Sequence, residues 1–124
     1  MDKISTVFSF HTLDSDKNFH IGHGQSGEYK LTGITLVPSN DVSGSSNKFT
    51  LAVTDGASSP TTLASSFDSE VTNLTDGTPV SLTMASAGIA AEFGVGDSVK
   101  FAYDETGTLA LTLQVICAWE KIRS

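Results

Sequence analysis

Between Leu109 and Glu120 the chain alternates with a period of two residues. Leu109, Leu111, Leu113, Val115, Cys117 and Trp119 are apolar or large, and Ala110, Thr112, Gln114, Ala118 and Glu120 stand between them. Only Ile116 departs from the small or polar phase. Successive side chains of a strand point to opposite faces, so this run dictates a long β-strand with one face on a core. The same pattern recurs upstream, and no segment sustains a 3.6-residue period, which argues against alternating strand–helix architectures.

Ile4 to Phe10 reads as a first strand, with Ile4, Phe8 and Phe10 on one phase. Leu13 to Gly27 is polar and glycine-rich, a loop that holds a short strand at Phe19 to Ile21. Glu28 to Val37 is a strong strand whose apolar phase is odd at Tyr29 and Leu31 and even at Ile34 and Leu36. The switch falls at Gly33 and predicts either a β-bulge or burial on both faces there. Pro38 to Lys48 is a polar loop without periodicity, expected to gain order from neighbours. Further strands are expected at Phe49–Val53, at Leu63–Phe67 and, after Asp76-Gly77, at Val80–Met84. Ala85 to Phe93 is small and helix-tolerant, enough for one helical turn, and Val99–Tyr103 turns through Asp104–Thr108 into the final strand. Seven or eight short strands at this spacing imply an all-β, antiparallel β-sandwich, jelly-roll-like, in a single domain spanning residues 1–124. Residues 1–27 are either its first strand or an N-terminal arm. Phe49, Leu51, Val53, Val80, Leu82, Val99, Phe101, Leu111, Leu113 and Val115 are expected inside.

Ser and Thr make up about a quarter of the 124 residues, which suits strands joined by turns. The formal net charge of −7 argues against nucleic acid as a partner, since a phosphate-backbone binder needs clustered Lys and Arg. The seven basic residues are instead scattered from Lys3 to Arg123. Cys117 is the only cysteine, so no internal disulfide forms, and its place on the apolar phase predicts a buried thiol. Met1 to Phe10 lacks a basic segment followed by an apolar one, and no stretch approaches about 20 apolar residues. Neither a secretory leader nor a membrane span is expected.

Groups suited to catalysis are sparse. His20-Ile21-Gly22-His23 has a short metal-ligand spacing, but neither a helical context nor a clear third ligand accompanies it, and His11 lies apart. Asp14-Ser15-Asp16-Lys17-Asn18 opens like a calcium loop, which needs a glycine at its sixth position and a glutamate at its twelfth. Phe19 and Gln25 stand there instead. Asp68 with Glu70 and Asp104 with Glu105 are close carboxylates set among Ser, Thr and Gly, as on exposed loops. The chain is therefore not expected to be an enzyme or to need a metal or cofactor. Trp119, Tyr29 and Tyr103 are candidates for a sugar-stacking platform, yet all three fall on apolar strand phases, where a core or subunit interface is the default.

Three stretches, YKLTGITLVPSND (Tyr29–Asp41), TDGTPVSLTM (Thr75–Met84) and FGVGDSVKF (Phe93–Phe101), resemble a known family. They are similar to the small head decoration, or cement, proteins of tailed bacteriophages, built on a β-sandwich or jelly-roll core. The resemblance implies a structural virion protein on the outer surface of the capsid, made in the host cytoplasm and bound to the major capsid protein. It also implies a homotrimer at local three-fold positions. Contacts are expected in the N-terminal segment, through Phe8, Phe10 and Phe19, and in the Pro38–Lys48 loop, through Val42 and Asn47. The alternatives are a carbohydrate- or receptor-binding β-sandwich module and a minor tail or baseplate structural protein.

Overall fold

A computed structural model describes residues 3–13 and 15–123, the side chains of 10–13 excepted. Among the described residues, nine strands and one short helix follow one another: β1 (Lys3–Leu13), β2 (Lys17–Ile21), β3 (Glu28–Pro38), β4 (Lys48–Thr54), β5 (Thr62–Asp68), β6 (Val80–Ser81), α1 (Ser86–Ala90), β7 (Glu92–Phe93), β8 (Val99–Thr106) and β9 (Leu111–Arg123).

The strands form two antiparallel sheets. One runs β1-β9-β3-β6, with β7 also paired to β3, and the other runs β2-β8-β4-β5. Both β6 and β7 pair with β3, so they act as one interrupted strand. The pairings are then nested: β1 with β9, β2 with β8, β3 with β6 and β7, and β4 with β5. A long antiparallel ribbon folded at β4–β5 and rolled until β9 meets β3 and β8 meets β4 has this order. The fold is a jelly roll.

The alternation in β9 carries through the packing. Leu111, Leu113, Val115, Cys117 and Trp119 are buried, while Gln114 is exposed and Thr112, Ile116 and Ala118 are half-buried. Cross-strand partners share a face, so β1 turns Ile4, Thr6 and Phe8 inward beside Trp119, Cys117 and Val115. The buried Trp119 donates its Nε1 hydrogen to Thr6 Oγ1 at 2.9 Å, which satisfies the only polar atom of the largest core residue. From the second sheet, Phe49, Leu51, Val53, Val99, Phe101 and Tyr103 meet these side chains, with Phe49 and Tyr103 rings 5.1 Å apart.

The phase switch in β3 is a bulge: its register against β9 shifts between Leu31 and Gly33, and Thr32 is extruded to bond Ala118 O through its hydroxyl. Val80 and Leu82 are only partly buried, because the stretch after β6 leaves the sheet instead of continuing it. Leu82 N–H donates to Ile34 O in one sheet, whereas Ser65 N–H donates to Thr83 O and Ala85 N–H to Leu63 O in the other. These residues clasp the two sheets together along one side. The interruption also separates β7 from β6, which raises the count to nine strands where seven or eight were expected.

Candidate functional site

The turns after β2, β4 and β7 gather at one end of the sandwich and enclose two clefts. The first, of about 330 Å3, is lined by Asp55, Glu92 and Asp97 among other residues. Each carboxylate is already engaged. Asp55 Oδ1 accepts N–H bonds from Ala57 and Thr61, both at 3.1 Å, and these bonds hold its carboxyl below the ordinary range. Asp97 Oδ2 accepts from Gly94 N–H at 2.8 Å, and Glu92 pairs with Arg123, which also binds Glu28. Asp55 and Asp97 organise turns, and Glu92 is taken up by its ion pair.

The second cleft, of about 530 Å3, borders His23, Gln25, Val95 and Ser98. His23 is buried, with Nε2 at 3.0 Å from the carbonyl oxygens of both Phe93 and Gly94. Its Nδ1 accepts from Gln25 N–H at 3.1 Å. Two carbonyls on one nitrogen and an N–H on the other fix the Nε2–H tautomer. The ring also lies 4.5 Å from Tyr29 and edge-on to Trp119. Both nitrogens are used internally, so this imidazole is a structural pin. His20, three residues earlier, is exposed on β2 with Nδ1 at 3.3 Å from Ser98 Oγ, and so the spacing that suggested a metal pair puts the two rings in different settings. Among the described residues, no three His, Cys, Asp or Glu side chains converge as metal ligands would.

The paired carboxylates do not meet in a pocket either. Asp68 Oδ1 accepts Glu70 N–H at 2.9 Å, and Glu70 forms an ion pair with Lys48 that raises the lysine's pKa, chiefly through the hydrogen bond. Glu105 N–H donates to Asp16 Oδ1, so the acidic turn after β1 ties itself to β8. Tyr29, Tyr103 and Trp119 are 4%, 2% and 1% exposed. The three aromatics considered for sugar stacking are core residues and present no platform.

The residues expected to contact a partner separate into two kinds. Phe19 stacks on Phe101 at 5.0 Å and is buried. Val42 is buried too, bridged to Leu74 by bonds of 3.0 and 2.9 Å. Asn47 is exposed, and its Oδ1 accepts from Thr108 N–H at 2.8 Å. Asn40 and Asp41 hold Thr112 and Asp76 in the same way. The Pro38–Lys48 loop is therefore tied to its own chain near both ends. Phe8 leans on Phe19 at 5.6 Å while remaining 40% exposed. The side chain of Phe10 lies outside the described residues.

The surface feature that sequence reasoning missed is the outer face of the larger sheet. Opposite the core-facing phase, the register sets Ser5 beside Ala118 and Gly33, Val7 beside Ile116 and Thr35, and Ser9 beside Gln114 and Val37. No residue of these three rows is charged, although the chain carries −7. Among the described residues, charge returns at the margin, in the row of Lys3, Glu120 and Lys30. Ile116 was the signal: an isoleucine breaking the polar phase of β9 marks an apolar centre on a solvent face. Among the described residues no helix is long and apolar enough to cross a membrane. Comparison with family models, curated proteins and solved structures gave no match.

Proposed function

We propose that this protein is a structural virion component that decorates a bacteriophage head, docking on the major capsid protein through the outer face of β1, β9 and β3. The observation that carries the reading is the uncharged surface around Val7, Ile116 and Thr35 on an otherwise acidic molecule. Protein interfaces are depleted of charge at their centres, because each buried charge must recover its hydration energy from a partner. A protein that only adheres needs such a face and no reactive cleft, and the internally engaged carboxylates and His23 agree with that. The resemblance in Tyr29–Asp41, Thr75–Met84 and Phe93–Phe101 supplies the identity of the shell.

The test is to mix purified protein with phage heads assembled without it and sediment the particles. Cosedimentation is expected, with Ile116→Lys abolishing it while circular dichroism stays unchanged. Protein that remains in the supernatant overturns the reading. If that protein binds a glycan array instead, the carbohydrate-binding module takes its place.

A further inference from the structure

Each of the two sheets ends in two edges, and three of these four edges are blunted. β2 is only five residues long. β5 is bulged against β4, and Thr83 and Ala85 bond to its outer side. The β3 side of the larger sheet carries only β6 and β7, two residues each. β1 is different. It runs eleven residues without proline or carboxylate, KISTVFSFHTL, and pairs in unbroken register with β9 from Lys3 to Phe10. Its side away from β9 has no strand among the described residues. Val7 is 55% exposed there, next to the half-open ring of Phe8. Natural sheets usually protect an edge of this length, because its backbone donors and acceptors template another strand.

We infer that two copies of this chain pair through β1, antiparallel about a two-fold axis perpendicular to the sheet. The occupant is a second copy because the edge is self-complementary. A two-fold must set like-facing residues opposite each other, since a one-residue slip exchanges the faces. Centred on Val7, the pairing sets Val7 against Val7, Thr6 against Phe8, and Ser5 against Ser9. No carboxylate falls in the strand, so the edge is a place where two copies of net charge −7 can approach. The axis also turns both outer faces the same way, which doubles the uncharged surface proposed for docking. That last point rests on the proposed function, whereas the pairing does not need a shell.

The contact is two-fold and so departs from the trimer implied by the resemblance. A contact made by one added strand belongs with the small, transient interfaces below about 1,200 Å2, so a weak association is expected. The test is sedimentation velocity of the purified chain from about 1 to about 500 μM, a span that brackets micromolar association. Wild-type protein is expected to shift from monomer to dimer across this range. Val7→Lys, which places a lysine in the pairing edge, should remain monomeric with an unchanged circular dichroism spectrum, and Ser81→Lys, on the opposite edge, should dimerise as wild type does. If Val7→Lys does not fold, Ser5→Lys replaces it with the same expectation. A chain monomeric throughout, a trimer, or a dimer that survives the β1 substitutions overturns the inference. Because no capsid is present, a failure here is separate from a failure to bind heads.

Discussion

Cys117 sits at the centre of β9 with its side chain wholly inside the sandwich, and desolvation pushes its thiol up from 9.0 to about 12. The neutral thiol is what the core tolerates, since a thiolate there would lose its hydration without gaining a partner. A folded pKa raised above the unfolded one gives stability that is fully present below pH 9 and lost as pH rises toward about 12. In urea titrations the wild type should therefore lose on the order of 1 kcal/mol per pH unit above pH 9 relative to Cys117→Ala. Equal slopes for the two proteins would contradict the burial. Cys117 and Trp119 were legible in the sequence because alternation alone assigned them to the core. His23 was not: its carbonyl partners, Phe93 and Gly94, lie about seventy positions away, and nothing local marks a histidine as a pin between distant turns.

At the scale of elements, strands with a full alternating face were readable to within a few residues, and so was the helical turn expected within Ala85–Phe93, whereas the two-residue β7 was not. What holds α1 in place was not legible either. Its five residues have no side-chain cap and no apolar stripe of their own, and they lie against β5. What positions them is Gly88, where an added Cβ would stand 1.8 Å from Leu63 O. Leu63 O is also the acceptor for Ala85 N–H, so helix and clasp converge on one carbonyl. Gly88→Ala should push α1 off β5 and loosen the clasp, at a cost of about 1–3 kcal/mol by analogy with overpacked cores. Chemical denaturation measures that loss, and hydrogen exchange should place it at Ser65 and Ala85. The same mutation at the open Gly94, where the nearest atom is a carboxylate oxygen at 3.6 Å, should cost much less. The bulge at Gly33 was one of the two outcomes that the phase switch allowed, and the register against β9 selects it over burial on both faces. The clasp was missed because Val80, Leu82 and Met84 alternate like a strand while bonding to two different sheets.

For the whole molecule, the sequence revealed a sandwich through its alternation, whereas the nesting of β1/β9 around β2/β8 is a long-range property that periodicity does not encode. Charge is also a whole-molecule quantity, and it makes a prediction about association. Each copy carries −7, so bringing two together works against a repulsion spread over the surface outside the acid-free β1 strand. Exposed charges a Debye length apart are screened, and that length shrinks from about 30 Å at 0.01 M salt to about 8 Å at 0.15 M. Pairing through backbone hydrogen bonds and the Val7 contact gains nothing from low salt, so screening acts only on the repulsive part. Dimerisation should therefore tighten as sodium chloride rises from about 0.02 to about 0.5 M, with the dissociation constant falling several-fold in sedimentation equilibrium. Weakening with salt would mean that opposite charges join the copies. The acid-free β1 strand does not supply such pairs by itself, and the contact would then have to be sought at the charged row of Lys3, Glu120 and Lys30.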